Sequence, residues 1–278
     1  MVSLSSLLQD QNTPLVVAIL NVTPDSFYDG GRLGTPELVL QRARECMEEG
    51  ADILELGAES TGPGSSDLSA DEELQRLLPA LQMVRDALPD VPIAIDTYKA
   101  AVADAALNIG AMLINDITAG RADPDMFSVI SRHHAWYAMM YSKDPTPRTT
   151  KQDRQYDDVI GHIHTFLSER LELALRAGID PFQIIVDPGL GHFVSSDPRY
   201  SFAILDSLER FTDLGPVLVS PSRKSFLAGP SNLPPSERLP ATLTASLTAA
   251  SHGAALLRTH DIAATKLALL QWSQGRVS

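Results

Sequence analysis

The chain of 278 residues has one cysteine, few aromatic residues (6%) and fewer basic residues (22) than acidic ones (35). The single cysteine, Cys46, excludes an internal disulfide framework and a multi-cysteine metal site. The net charge of −13 argues against a nucleic-acid or anionic-membrane partner. No stretch of about 18 residues lacks polar interruptions, so no transmembrane helix is expected. The first basic residue is Arg32, which argues against a targeting signal and favours a cytoplasmic protein.

Eight short apolar runs alternate with helix-period stretches along the chain. Their hydrophobicity is continuous rather than alternating, which is typical of parallel strands covered on both faces. Eight such runs, each followed by a helix candidate, predict a closed (β/α)8 barrel that forms one domain over residues 1–278. The runs are Val16–Val22, Asp52–Gly57, Pro92–Thr97, Met112–Ile117, Ala135–Tyr141, Gln183–Asp187, Val217–Ser220 and Ala254–Arg258.

Local signals mark two helix starts and two unusual connections. Thr35 followed by Pro36 offers an N-cap and a first-turn proline, and Ser69 with Glu72 resembles a capping box. The polar stretch from Ser142 to Tyr156 and the Gly/Ser/Pro-rich stretch 61–70 are long for a compact fold. Such segments are usually functional lids or poorly ordered loops.

Polar side chains stand at or just after the end of nearly every predicted strand. In a barrel these positions converge on one mouth, so a shared polar pocket is expected. An isolated polar residue at a strand end is often only a loop cap, but the repetition favours a common site. The residues are Asn21, Glu55, Glu59, Asp96, Asn115, Asp116, Tyr141, Asp187, Ser222, Arg223, Lys224, Arg258 and His260.

The expected pocket divides by charge. Asp96, Asn115 and Asp187 follow middle strands and could accept from and donate to a flat nitrogen heterocycle. The last two strands supply basic groups at the place where barrels commonly bind phosphate. These basic residues are Lys224, Arg258 and His260. Neither half contains a nucleophile with an adjacent base.

The loop after the first run, 21–31, is rich in turn formers and polar groups. It is either a tight connection or part of a cation site. In the second interpretation Asn21 and Asp25 complete the shell of a Mg²⁺ ion held mainly by phosphate oxygens and water.

Several segments, taken together and in order, resemble the signatures of the dihydropteroate synthase family over nearly the whole chain. That family consists of (β/α)8 barrels that join hydroxymethyl-dihydropterin pyrophosphate to p-aminobenzoate and release pyrophosphate. Its members are often dimers. The matching segments are Ile19–Phe27, Gly57–Gly64, Ile95–Lys99, Asn115-Asp116, Asp187–Gly189, Ser222–Phe226 and Arg258–His260.

The resemblance implies a role for each matching residue. The pterin would be held by Asp96, Asn115, Asp187 and Lys224. The pyrophosphate would be held by Arg258, His260 and, through Mg²⁺, Asn21. The p-aminobenzoate would be surrounded by Phe27, Thr61, Pro63 and Ser222. Asp96, Asp187, Lys224 and Arg258 would carry the catalysis.

Three departures from the family pattern keep alternatives open. Gly62 stands where the family usually has arginine, Tyr141 where it has histidine, and 192–194 where it commonly has phenylalanine, glycine and lysine. Gly62, Phe193–Ser195 and Arg258–His260 resemble family members that sulfonamides inhibit poorly, which suggests a p-aminobenzoate site reshaped against sulfonamides. Gly62 and Tyr141 also leave open a non-catalytic pterin-binding paralogue. A methyltetrahydrofolate:corrinoid methyltransferase would share the pterin pocket, but it has no need for the anion-binding groups and is the less favoured alternative.

Overall fold

Eight parallel strands close into a barrel in the order of the chain, with the last strand paired to the first. The computed structural model describes residues 4–9, 12–22, 35–60, 62, 65 and 67–275. The strands are β1 Leu15–Asn21, β2 Ile53–Gly57, β3 Ile93–Asp96, β4 Leu113–Asp116, β5 Trp136–Met140, β6 Ile184–Asp187, β7 Val217–Val219 and β8 Ala254–Thr259. The predicted (β/α)8 fold is confirmed.

A helix follows every strand and covers the outside of the barrel, and a further helix, α1, precedes β1. The helices are α1 Leu4–Gln9, α2 Pro36–Glu48, α3 Ala70–Ala87, α4 Ala100–Ile109, α5 Met126–His133, α6 Val159–Arg176, α7 Pro198–Leu205, α8 Leu239–Ser251 and α9 Ile262–Gln274. Within the described ranges, every helix is too short or too polar to traverse a lipid bilayer.

The apolar core has two parts because side chains of a strand alternate between its faces. The larger part lies between the sheet and the helices, whereas a smaller one fills the inside of the barrel, with Val17, Ile53 and Leu113 among its members. The inner part also contains Leu4 of α1, which is fully buried. Helix α1 therefore covers the amino-terminal end of the barrel. It was not predicted from the sequence, because its six residues are too few to show a helical period.

The two predicted helix starts are found where expected. Ser69 and Glu72 form a complete capping box at the start of α3. Helix α2 begins at Pro36 as predicted, but within the described part of the chain the side chain of Thr35 makes no capping hydrogen bond. Cys46 is fully buried on α2, where it packs like a small hydrophobic residue.

Candidate active site

A ring of polar side chains lies directly above the inner apolar core, on the carboxyl-terminal side. Side chains two positions apart on a strand point to the same face. Ile53 and Leu113 point into the inner core, so the residue two positions after each of them points into the mouth of the barrel. We call this ring the floor of the site. It consists of Glu55 on β2, Asp96 on β3, Asn115 on β4, Asp187 on β6 and Arg258 on β8.

Arg258 is the centre of the floor. Its Nε donates to Oε1 of Glu55, and its Nη2 donates to Oδ2 of Asp96 over 2.6 Å. Asn115 Nδ2 donates to the other oxygen of Glu55 over 3.1 Å. The expected division of the pocket into an acidic and a basic half is therefore wrong for Arg258, which lies among the carboxylates. Opposite charges attract strongly where little water screens them, so the arginine of one strand pairs with the acids of its neighbours.

Glu55 was noted at a strand end in the sequence but received no role there. Its side chain is 1% exposed and binds both Arg258 and Asn115. A glutamate two positions after Ile53 in a strand whose inward face is otherwise apolar was the available signal. Such a buried charge needs a partner of opposite charge.

The floor alters the proton affinities of its own charged groups. Removal from water raises the pKa of Asp96 to about 7, although the Arg258 charge opposes this rise. Burial by itself would lower the pKa of Arg258, but the nearby carboxylates outweigh that cost, and the pKa is raised. Asp96 is therefore poised to change its charge when a ligand reaches it.

Asn115 presents an acceptor to the mouth. Its Oδ1 is buried and has no hydrogen-bond partner among the residues that the structure describes. A buried carbonyl oxygen left without a donor is unfavourable, and a ligand with an N–H group would relieve that cost.

Asp187, the floor residue on β6, interacts with Lys224, which follows β7. Burial raises the pKa of Asp187 to about 6, and the Lys224 charge and the N–H of Gly189 limit that rise. Burial lowers the pKa of Lys224 to about 8, with Asp187 opposing. Gly189 donates to Asp187 Oδ1 over 2.7 Å in a turn with φ +71°, where a Cβ would lie 2.5 Å from the Tyr141 carbonyl oxygen. Glycine is therefore required there.

Ser222 and His260 meet at the entrance between β7 and β8. Ser222 Oγ lies 3.1 Å from Nδ1 of His260 and accepts from its backbone N–H over 3.2 Å. Burial and the neighbouring Arg258 charge lower the pKa of His260 to about 4. His260 is consequently neutral at pH 7 and can offer a hydrogen bond but not the positive charge that was expected from the sequence.

Two residues expected at the mouth lie elsewhere. Tyr141 belongs to the outer core and contacts the rings of His162 and Phe166 on α6 edge-on. Asp116 is fully buried and accepts hydrogen bonds from Tyr137 and from the backbone of the loop that follows β4. Each lies one position after a residue whose side chain points into the barrel, so the alternation along the strand directs its own side chain outward.

The long polar stretch 142–156 is an extended connection between β5 and α6, which we call the rim segment. It contacts the loop after β6 through Lys143 and the loop after β2 through Arg148. The stretch was recognised in the sequence but neither residue was, because nothing in a polar loop sequence identifies its long-range partners. Phe27, Asp25, Thr61 and Pro63 lie outside the described residues.

The fold and floor define a class: a parallel barrel whose mouth can hold a flat hydrogen-bonding ring beside an anion. Comparison with known proteins narrows this class, because the family model described as "Pterin binding enzyme" matches residues 17–260. The chain belongs to this family.

Its relatives carry a more specific name. The chain is 38% identical to dihydropteroate synthase of Bacillus subtilis (strain 168) over 92% of its own length and 87% of that protein. Among solved structures, dihydropteroate synthase of Xanthomonas albilineans with 4-aminobenzoic acid has a TM-score of 0.87 at 36% identity, covering 96% of this chain and 94% of the other. The Yersinia pestis enzyme in a sulfonamide drug complex has a TM-score of 0.90 at 32% identity, covering 96% and 95%.

Proposed function

We infer that the chain is a dihydropteroate synthase, a transferase of folate biosynthesis that joins hydroxymethyl-dihydropterin pyrophosphate to p-aminobenzoate and releases pyrophosphate. The observation that carries this conclusion is the floor itself. Acids, an amide and a buried arginine meet at one mouth, in a chain that matches dihydropteroate synthases over nearly its whole length. This arrangement fits a hydrogen-bonding heterocycle that carries a charged leaving group.

The middle strands supply the pterin contacts in this proposal. Asn115 Oδ1, which has no described partner, accepts from an N–H of the ring, and Asp187 accepts from its amino and N–H groups. Lys224 donates to the ring carbonyl or a ring nitrogen. Asp96, which accepts from Arg258, would face the part of the ring that bears the reacting methylene.

The leaving group departs past Arg258 toward the entrance between β7 and β8, where His260 lies. Arg258, and a hydrogen bond from His260, stabilise the charge that develops on the pyrophosphate. The remaining methylene cation is conjugated with the pterin ring, and the carboxylates of Asp96 and Asp187 stabilise it. The aniline nitrogen of p-aminobenzoate then forms the C–N bond and releases its proton to water or to the departed pyrophosphate. No step needs a protein nucleophile.

The proposal includes a Mg²⁺ ion that one protein residue would bind directly. Asn21 ends β1 at the mouth, and its side-chain amide oxygen is the hard type of ligand that Mg²⁺ accepts. The described residues contain no group of three or more His, Cys, Asp or Glu side chains suited to a metal, so phosphate oxygens and water would supply the other ligands. Bound there, the ion would neutralise charge on the pyrophosphate.

The direct test is release of pyrophosphate from the purified protein, with the pterin pyrophosphate and p-aminobenzoate present together or singly. We expect release that depends on both substrates and that falls when Mg²⁺ is chelated. Tight pterin binding without release would identify a non-catalytic paralogue instead. Methyl transfer from methyltetrahydrofolate to a corrinoid would identify the other alternative.

We also propose reduced sulfonamide sensitivity, which rests on Gly62 and on the loop after β6. In that loop the ring of Phe193 lies 5.2 Å from Lys224 Nζ, and Ser195 Oγ donates to Asp153 of the rim segment over 2.6 Å. The departures at 192–194 therefore lie next to Lys224, which is proposed to bind the pterin. Inhibition by sulfamethoxazole should be several-fold weaker than for an ordinary synthase assayed in parallel, and equal inhibition would refute the idea.

A homodimer in the cytoplasm completes the proposal. A groove of about 920 Å³ between α7 and α8 is lined largely by apolar side chains, and Phe202 beside it is 46% exposed. Such a surface suits a second copy of the chain. Analytical ultracentrifugation should give a dimer that Phe202→Glu dissociates, and a monomeric native protein would refute the proposed homodimer.

The cytoplasmic location is proposed because a single buried cysteine fits a reducing compartment.

A further inference from the structure

The rim segment connects two loops that lie on opposite sides of the barrel. Strands β2 and β6 are four positions apart in a ring of eight, so their loops face each other across the mouth. One end of the segment is held at the β6 side. Lys143, whose side chain is 3% exposed, donates through Nζ to the His192 carbonyl over 2.7 Å and through its backbone N–H to Phe193 over 2.8 Å.

The course of the rim segment is set by hydrogen bonds within it. Asp144 accepts from Lys143 Nζ over 2.7 Å, from Thr149 Oγ1 over 3.0 Å and from the backbone N–H of Thr150 over 2.8 Å. A buried ammonium and a carboxylate with several donors form a fixed turn without secondary structure. This turn brings Arg148 to the β2 side.

Arg148 uses all three nitrogens of its guanidinium on the loop that follows β2. Nε donates to Asp67 Oδ1 over 2.9 Å, Nη1 donates to the Ser60 carbonyl and Nη2 donates to Glu59. Its side chain is 17% exposed. A planar group with three acceptors in fixed directions defines the position of this loop far more strictly than a mobile surface charge would.

Glu59 ties the two ends of the same loop together. Its Oε1 accepts from the Leu68 backbone N–H over 3.1 Å and from the Tyr98 hydroxyl over 3.1 Å, while Oε2 accepts from Lys99. Burial alone would raise the pKa of Glu59, but the hydrogen bonds from Lys99, Leu68 and Arg148 lower it below the usual value. Glu59 is therefore ionised at neutral pH and holds Arg148 against the loop.

We propose that Arg148 is a positioning residue for the second substrate. It holds Glu59, Ser60 and Asp67 in place in the connection from β2 to α3, and the proposed function places residues of that connection against p-aminobenzoate. The rim segment supplies Arg148 from the other side of the barrel. The inference rests on that proposed function. Among the residues that the structure describes, the guanidinium of Arg148 donates to this loop and not to the floor, so it leaves the pterin ligands unaffected.

The test compares Arg148→Ala and Arg148→Lys with Arg132→Ala, a control that removes an exposed ion pair from α5. In Arg148→Ala we expect KM for p-aminobenzoate to rise about tenfold, the factor that corresponds to about 1.4 kcal/mol. We expect kcat to change less than about twofold, since the floor is intact. In Arg148→Lys we expect KM for p-aminobenzoate to lie between the values of the native protein and Arg148→Ala, because an ammonium cannot serve three acceptors in one plane.

Two further measurements connect the effect to the loop. Pterin affinity, measured by titration calorimetry, should be the same in native protein and Arg148→Ala. Hydrogen exchange of backbone amides in peptides covering 59–68 should be faster in Arg148→Ala and unchanged in Arg132→Ala. Adding Asp67→Ala to Arg148→Ala should raise KM no further, because both changes remove the same contact.

The outcomes distinguish failure of this inference from failure of the proposed function. Absence of turnover in the native protein would overturn the proposed function, and this inference with it. Normal turnover with an unchanged KM in Arg148→Ala would overturn this inference alone. Parallel losses of kcat, KM and pterin affinity would also overturn it, since they would show a general structural role.

Discussion

The floor and the rim of this site are built in different ways. The floor charges stand on strands, where the backbone pairing of β2 and β3 with their neighbours determines their positions. The rim charges stand on connections, where Arg148 and Lys143 must find acceptors many residues away. The floor is thus rigid because of the sheet, whereas the rim depends on a few polar contacts. Changes in the floor should therefore affect the chemistry, and changes at the rim should affect the fit of one substrate.

The largest expected effect comes from Asp96→Asn in the floor. Asparagine can still accept from Arg258, so the fold should survive, but the negative charge beside the developing cation is lost. We expect kcat for pyrophosphate release to fall about a hundredfold or more. A rate close to that of the native protein would remove Asp96 from cation stabilisation and would weaken the contrast between floor and rim.

Arg258→Ala should have the next largest effect. It removes a charged hydrogen-bond donor from the anion side, so pyrophosphate affinity measured by calorimetry should weaken by about 1.5–3 kcal/mol. It also leaves Glu55 and Asp96 without their partner, and breaking such a buried pair costs about 3–5 kcal/mol of stability. Arg258→Lys retains a cation and guards against loss of folding: we expect it to bind pyrophosphate more weakly than the native protein but better than Arg258→Ala.

Native affinity in a folded Arg258→Lys or Arg258→Ala would exclude Arg258 from the anion site. The same titration on Arg132→Ala should show no change, because that guanidinium is exposed on α5 and far from the mouth in the fold.

The pH dependence of kcat/KM should reflect the titration of charged groups at the floor and of Lys224 beside it, and not of groups in the rim segment. The Asp187 and Asp96 carboxylates form as pH rises through about 6 and about 7, and the Lys224 ammonium is lost as pH rises through about 8. All three groups carry their charges together only between about pH 7 and 8, so kcat/KM should be bell-shaped. The alkaline limb should approach tenfold per pH unit, and the acid limb should be steeper because two carboxylates titrate there. Lys224→Arg should remove the alkaline limb. An alkaline limb that persists in this variant would show that another group titrates.

The smallest expected effect concerns the start of α3, just beyond the rim. Ser69→Ala removes the serine side of the capping box and should lower the free energy of unfolding by about 1 kcal/mol. KM for p-aminobenzoate should not change, because Glu59 and Arg148 still hold the loop. Chemical denaturation and steady-state kinetics on the same preparation check both points. A clear rise in KM would show that the helix start, and not Arg148, determines the position of the loop.

Much of the floor could be predicted from the sequence, because residues at the ends of parallel strands converge on one mouth of a barrel. Asp96, Asn115, Asp187 and Arg258 were all identified at strand ends, and the structure brings them to one mouth. The prediction for Tyr141 was wrong because a position at the end of a run does not by itself fix the face on which a side chain lies. Trp136 and Ala138 of β5 point into the barrel, so by alternation Tyr141 lies on the outer face.

The rim could not be predicted to the same degree. The polar stretch 142–156 was recognised as unusual, but its contacts with loops on two sides of the barrel have no sequence period. Arg148 and Glu59 are 89 positions apart in the chain. No local pattern identifies such a pair, since any exposed acid within reach would serve equally well.

The barrel, the inward row and the kinds of chemical group at its mouth follow from the order of amino acids alone, because strand period and strand-end composition are local properties. Packing in three dimensions was needed to establish which charges neutralise each other, that Arg258 lies among acids, that His260 is neutral and that Arg148 reaches the loop after β2. These outcomes depend on distance and on removal from water. Both are consequences of how remote segments come together in the folded chain.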